Sequence, residues 1–553
     1  MEKRVWTPVL HGRRTRAPRS LIARFARALV FTAIVSFTLT AAGGGSSGSS
    51  SPGSASAGGG QVVSGSGGTV TIRSIDDLNT FNPILTSTNL AFEMVSLAYD
   101  NLVYLEPNGK LAPWLASSWT STPNSATFKI GRGATCDDGT PVTPAVVANG
   151  LRYDFVKGPF NAFLVGPGKF KSVSYSNSAD TVTVTLTKPY NGLVLGLSNV
   201  YAPIICPAGL ANPNLMNSQP EGSGPYMYDA SRSRRGSVYV FTLRKNYNWG
   251  PLGWTAKKPG IPSTIIERPV VDETTATNLF LTGTTDITPS FGINETRVAA
   301  DKSAYTYNTS SLQMGSWGVV LNQAPGRVGA DPAVRHAVFL ALDGPTMVKA
   351  AFSNLGVPFA TELTPNIECY NAAVGAATAG YNPAQAKQIL EQDGYKMIGG
   401  VMTKNGKPLM LSIVMYGTQQ LPEFIQSQLA KIGIKSTVEN TDIATWTTAV
   451  TSSHNYDLTV YSYYSDLPNP LIIPVQDAVL NIEDPTYFNL ASKAEEAPAS
   501  QACPAWDKAL TRAEANYDVK PIGVARNEWF AKGWKFKAVL LVIIDPFTLE
   551  RTR

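Results

Sequence analysis

The sequence predicts an α/β chain folded into at least two lobes. Period-2 stretches such as 126–130 and Thr181–Leu186 read as strands. They alternate along the chain with helical patterns over 331–343, 383–393 and 422–432. At 553 residues the chain is too long for one hydrophobic core to serve.

The N-terminus comes first. Residues 1–27 carry Lys3, Arg4, Arg13, Arg14, Arg16, Arg19, Arg24 and Arg27 against Glu2 alone. An apolar run, 28–42, follows and ends in small residues. A basic leader, a short apolar run and a small-residue end describe an export signal over 1–42. A stable bilayer span needs about 20 apolar residues, so this run is short for a permanent anchor. Among eight basic residues, the Arg13-Arg14 pair does not by itself point to a twin-arginine route. Leu39-Thr40-Ala41 resembles a bacterial lipobox, but Ala42 stands where that motif places its lipidated Cys. Release by signal cleavage and tethering at the membrane both stay open. Residues 43–68 are almost entirely Gly, Ser and Ala, a composition that behaves as a flexible leash.

Loss of 1–42 leaves 38 basic against 39 acidic residues and moves the formal charge from +6 to −1. Nucleic acid thereby loses its main electrostatic attraction to this chain. No later apolar run reaches spanning length; the run at 539–543 is far too short. Contact with a membrane is expected only through the signal or a tether. Four cysteines, Cys136, Cys206, Cys369 and Cys503, allow three pairings in an exported chain. No Cys-x-x-Cys pair exists, which argues against a zinc knuckle or a thioredoxin-type site. Beyond the signal the histidines are His336 and His454; His336 falls in a helical pattern and reads as packed or exposed, not as a ligand. No metal site and no cofactor is expected.

The elements then follow in order. Residues 69–72 alternate as a strand, Leu78-Asn79-Thr80-Phe81-Asn82-Pro83 follows, and the pattern over 89–104 predicts a helix. Pro113-Trp114-Leu115-Ala116 and Trp119 lead into the strand at 126–130. Asp137-Asp138-Gly139-Thr140-Pro141 is strong turn chemistry, and a helix begins near Pro144. Farther on stand Gly222-Ser223-Gly224-Pro225-Tyr226, Arg244-Lys245-Asn246-Tyr247-Asn248-Trp249 and Gly283-Thr284-Thr285-Asp286. Then come Val320-Leu321-Asn322, Asp331-Pro332-Ala333-Val334-Arg335-His336-Ala337, Tyr381-Asn382-Pro383 and Leu429-Ala430-Lys431-Ile432-Gly433-Ile434.

This ordered series resembles the extracytoplasmic solute-binding proteins of peptide, dipeptide and nickel ABC importers, the bacterial solute-binding family 5. Cys136 departs from the family's usual aromatic residue, and Pro144-Ala145-Val146 from its common acidic one. The resemblance implies a two-lobed periplasmic-binding-protein fold of type II, in the large three-domain peptide-binding subclass, with a cleft and a hinge. Domain I would comprise 65–105, 223–310 and 520–553, domain II 106–222, and domain III 311–519. It also implies an exported, periplasmic or surface-held monomer that captures short peptides and hands them to the transmembrane subunits of an ABC permease.

By family position, Asp466 in Tyr463-Tyr464-Ser465-Asp466-Leu467-Pro468-Asn469-Pro470 would hold the ligand's α-ammonium group. A desolvated ammonium needs such a carboxylate. The competing role for Asp466 is a turn cap beside Pro468. Tyr461, Tyr463, Tyr464 and Ser465 would cover the ligand, the rings by stacking or cation–π contact. Thr86 and Ser87, and Gly315, Ser316 and Trp317, would line the cleft. Nothing in the sequence supplies a hydrolase: His-Glu-x-x-His, a nucleophile elbow and a P-loop are all absent. A receptor for a metal chelate or other solute, and a non-transport interaction protein, are the alternatives on the same fold.

Overall fold

The computed structural model describes residues 67–552, except 87, 160, 291–292, 302–303, 309–315, 353–355, 366, 417–419, 463–469, 525–527 and 540–542. The expected signal, and all of the expected leash but Gly67 and Gly68, lie outside the described residues. Those two glycines belong to the fold. A Cβ on Gly67 would lie 2.4 Å from the carbonyl oxygen of Gly260, so only glycine fits there. No helix among the described residues is long and apolar enough to cross a membrane.

Three large sheets organise the described chain. The first has seven strands in the order Tyr305–Asn308, Glu528–Ala531, Ile287–Ser290, Thr69–Ser74, Thr264–Pro269, Tyr239–Leu243 and Tyr226–Tyr228. Thr69–Ser74 runs parallel to Thr264–Pro269 and Ile287–Ser290, and helix Asn89–Ala98 is buried against the sheet's apolar cluster. The second sheet has four antiparallel strands: Ala116–Thr122, Ser125–Ile130, Thr181–Leu186 and Phe170–Ser176. The third has five, in the order Lys435–Thr441, Met410–Tyr416, Leu458–Ser462, Trp317–Leu321 and Val519–Gly523. Helices Pro332–Ala341 and Leu421–Lys431 cover the third sheet through Val338, Leu340, Ile425 and Leu429.

The chain passes between the first and third sheets twice, between Asn308 and Trp317 and between Gly523 and Glu528. A single apolar cluster runs from Phe128 and Val184 of the four-stranded sheet through Leu193 and Leu471 to Trp506. The two halves of the molecule therefore share buried surface as well as chain crossings.

The sequence motifs do structural work at identifiable atoms. Thr71 N–H donates to Asp286 Oδ2 at 2.7 Å, joining two parallel strands of the first sheet. A Cβ on Gly222 would lie 2.2 Å from the carbonyl oxygen of Ala98, where the chain packs on the end of the first helix. Thr143 caps the helix Pro144–Lys157 by accepting from Val146 N–H. Buried Arg335 donates to the carbonyls of Gly329, Asn516 and Tyr517. The amide of buried Asn322 donates to the carbonyls of His454 and Tyr456.

One expected element is shorter than its pattern. The helix from Asn89 stops at Ala98, and Val103–Leu105 is a strand paired with Leu111–Pro113. Asp100 and Asn101 end it. Asn101 Nδ2 donates to the carbonyls of Asn199 and Ala202 at 2.7 and 3.1 Å. Asp100 accepts from Ser223, Tyr247 and Trp249, while burial raises its carboxyl to about 6. These tertiary bonds outcompete continued helix, and local periodicity does not display them.

The four cysteines resolve into Cys136–Cys206 and Cys369–Cys503. His336 stacks on Tyr517, ring centroids 3.9 Å apart and 8° from parallel, and burial lowers its pKa.

Candidate functional site

One end of the five-stranded sheet gathers the described ends of several predicted site segments. Leu458–Ser462 and Trp317–Leu321 are antiparallel neighbours, with Trp317 opposite Ser462 and Gly318 opposite Tyr461. Two segments about 140 residues apart in sequence are thereby brought side by side by strand pairing. Tyr416, the last residue of Met410–Tyr416, and Gly523, the last of Val519–Gly523, reach the same end.

Tyr461 is half-buried and lies on Trp446, centroids 5.9 Å apart at 25°. Trp446 packs in turn on Tyr416 at 4.9 Å, and its Nε1 donates to Thr459 Oγ1 at 3.0 Å. Thr459 passes that bond on to the carbonyl of Val414 at 2.8 Å. The three rings form a fixed aromatic wall, in which burial raises the Tyr416 hydroxyl pKa. Trp317 meets Phe352 edge-on at 5.2 Å.

Ser316 and Thr86 sit differently. Both are fully buried. Ser316 Oγ donates to the carbonyl of Thr361 at 2.7 Å, and Thr86 Oγ1 to that of Pro83 at 2.9 Å. These hydroxyls hold backbone in place. Gly315, Ser87, Tyr463, Tyr464, Ser465 and Asp466 lie outside the described residues. The segment bearing Asp466 lies between the strand end at Ser462 and the 3-10 turn Pro470–Ile472, where the described chain resumes.

That turn borders a cavity of about 630 Å³. Its first side comes from the four-stranded-sheet region, with Asn108, Trp119, Ser121 and Asn191. Its second comes from the other half of the chain, with Glu368, Pro470, Leu471 and Trp506. The contact beside it is tight. Asn191 N–H and Nδ2 donate to the carbonyls of Glu495 and Ala494, and Lys169 Nζ reaches Glu495 Oε2 at 3.0 Å in a nearly buried ion pair.

Glu368 is held in place from both directions. Ile367 before it is buried. Cys369 after it takes φ +66, a conformation costly for a side-chain-bearing residue, and is bonded to Cys503 of helix Ala499–Ala515. Asn371 Nδ2 donates to Asp507 Oδ2 of the same helix at 2.9 Å. Partial desolvation raises the Glu368 carboxyl above its ordinary value. Glu368, Cys369 and Cys503 cluster closely, yet both sulfurs are spent in the disulfide and cannot serve as thiolate ligands.

Acid groups also lie buried behind the sheet. Ser316 N–H donates to the carbonyl of Glu362, whose own carboxyl is buried and driven well up by desolvation and by Asp477, Glu514 and Asp518. Desolvation pushes Glu514 up to about 8 and Asp518 to about 7, and brings Lys520 down to about 8. Arg335 lies 3.8 Å from Asp518. Neither this group nor Glu368 stood out in the sequence. The pairing of Cys369 with Cys503 was the one signal that would have drawn 368 and 506 together, and three pairings were open.

Comparison with known proteins places this geometry. Residues 110–474 match the model described as "Bacterial extracellular solute-binding proteins, family 5 Middle". The nickel-binding periplasmic protein of Escherichia coli K12 is 27% identical over 370 residues, covering 64% of this chain and 67% of the relative. The glutathione-binding protein GsiB of the same strain is 26% identical over 374 residues, covering 66% and 68%. A substrate-binding protein from Microbacterium hydrocarbonoxydans, solved with 4-hydroxybenzoate hydrazide, superimposes with TM-score 0.70 at 25% identity, over 88% of this chain and all of that one. A dipeptide-binding protein from Pseudoalteromonas sp. SM9913 in complex with Met-Leu gives TM-score 0.72 at 18% identity, with the same coverage.

Proposed function

This chain belongs to the bacterial extracellular solute-binding proteins of family 5, the substrate-binding components of ABC importers, and from that premise we propose that it captures short peptides. The observation that carries the proposal is the 630 Å³ cavity lying between two halves of the chain and bordered by the turn that follows Asp466; Thr86, Ser316, Trp317 and Tyr461 are not among its lining residues. The Met-Leu complex of a structural neighbour supports the peptide reading.

In this reading Asp466 receives the ligand's α-ammonium group. Tyr461, Tyr463, Tyr464 and Ser465 cover it, with Gly315, Trp317 and Ser87 along the cleft, while the buried Ser316 and Thr86 hydroxyls hold the backbone behind it. Domain I carries the seven-stranded sheet, domain II the four-stranded sheet and domain III the five-stranded one. The return from domain III to domain I, expected at 519–520, is taken in this reading to lie between Gly523 and Glu528, because Val519–Gly523 pairs within the five-stranded sheet. Those crossings act as the hinge, and closure buries the ligand. The exported monomer carries its ligand to permease subunits and releases it on reopening, with no covalent step.

Native mass spectrometry of the purified exported chain, followed by denaturing release of its contents, tests the proposal. Co-purified short peptides support it and give the preferred length. A single non-peptide solute or metal chelate replaces the substrate class. An empty protein that gains no thermal stability from a peptide library moves the interaction-protein reading to first place.

A further inference from the structure

We infer that the inter-lobe cavity selects for positively charged ligand groups through Glu368 and discriminates against anionic ones. The inference rests on the reading of this cavity as the solute site. Glu368 is the one ionisable side chain among its described lining residues; the others are apolar, amide, hydroxyl or disulfide groups. Trp119 and Trp506 stand in the same lining, and indole rings favour cations over anions.

The neighbouring charges do not reverse this balance. Lys169 is committed to Glu495 at 3.0 Å and lies 3.9 Å from Glu496. Asp507 adds a further carboxylate on the helix that bears Cys503. These groups are four carboxylates and one already paired ammonium, while Lys110, between the lining residues Gly109 and Leu111, and Lys508, next to Asp507, are exposed to solvent.

The loop also has the rigidity that charge selection needs. A carboxylate on a mobile loop turns back into water and discriminates weakly, whereas the backbone that follows Glu368 is anchored by the Cys369–Cys503 bond and the Asn371–Asp507 hydrogen bond. Asp466 in the proposed function accounts for the α-ammonium group. Glu368 stands in a different segment and would take a second cation, a lysine- or arginine-type side chain. A ligand bearing two carboxylates, as glutathione does, meets no free cation among the described lining residues, despite the relatedness of this chain to a glutathione-binding protein.

Isothermal titration of the exported chain with Ala-Lys-Ala, Ala-Glu-Ala and Ala-Ala-Ala tests this, beside the variants Glu368→Gln and Glu368→Asp. Ala-Lys-Ala is expected to bind about tenfold tighter than Ala-Glu-Ala, the difference between a solvent-screened attraction and a solvent-screened repulsion at the exposed Glu368 carboxylate. In Glu368→Gln that ratio falls to within about twofold, and Glu368→Asp restores part of it. Equal binding of the two charged peptides by the native chain overturns the inference, as does a preference that survives in Glu368→Gln. If no tripeptide binds, 1,5-diaminopentane separates the two readings by thermal shift. Stabilisation of the native chain but not of Glu368→Gln retains the charge selection while the peptide reading falls. No stabilisation of either sinks both.

Discussion

The two disulfides differ less in the loops they close than in what they hold still. Cys136–Cys206 spans 70 residues, and both cysteines are buried in the core of the four-stranded-sheet region. Cys369–Cys503 spans 134 residues, and both are half-buried beside the inter-lobe cavity. Loop-closure entropy grows only logarithmically with loop length, so on that ground the two stabilise the fold to a similar degree. Their surroundings separate them. The first ties the turn before a helix to the chain that returns beneath it. The second anchors the backbone directly after Glu368, a carboxylate in the cavity lining. A crosslink is therefore read by what it holds still, and less by the loop it closes.

The largest effect expected on this comparison comes from Cys136→Ala with Cys206→Ala. Stability should fall by about 4 kcal/mol, seen as a shift of the urea midpoint, with ligand affinity of the folded fraction unchanged. Breaking the other bond, through Cys369→Ala with Cys503→Ala, should cost a similar amount, about 4 kcal/mol, and also weaken ligand binding about tenfold by calorimetry. Equal losses of affinity in the two pairs would erase the distinction drawn here.

Lys169→Met sharpens it from the opposite side of the cavity. It leaves Glu495 buried without its ammonium, which costs about 3 kcal/mol, and the two halves should part. Small-angle scattering should report a larger radius of gyration for the unliganded variant. An unchanged curve would show that the apolar cluster alone holds the halves together.

The acids behind the sheet give a smaller, pH-dependent effect. Glu514 titrates at about 8 in the fold and at about 4.3 in an unfolded chain. The fold thus binds the extra proton between those values, and its stability falls as pH rises from about 4 to about 8. Glu514→Gln should flatten that slope and make the variant more stable than the native chain at pH 8 by at least about 1 kcal/mol. A thermal-melt series from pH 5 to 8 with identical slopes would refute the assignment. Smallest of all, Asn371→Ala removes one hydrogen bond to Asp507 and should weaken ligand binding about threefold while the disulfide remains.

Much of the fold was legible residue by residue. Asp286, Asn322, Arg335, Gly222 and Gly224 stood in the sequence as motif letters. In the structure each serves a backbone group or a close approach that only that residue type provides. The strand Thr181–Leu186 and the helix from Pro144 also follow from local signals, period 2 and an N-cap threonine. The helix from Asn89 was over-read because Asp100 and Asn101 find partners about 100 residues or more away.

The candidate site divides along the same line. The sequence by itself determined the fold class and much of the strand and helix order, while the pairing that sets Trp317 opposite Ser462 and Gly318 opposite Tyr461 came from tertiary structure. Tertiary structure alone decided that Glu368, Trp119 and Trp506 share one cavity, which cysteines pair, and that the Ser316 and Thr86 hydroxyls are spent on backbone. The reason is physical. Periodicity and turn chemistry are set by residues within a few positions, whereas a cavity wall and its charge are set by side chains that only long-range packing brings together.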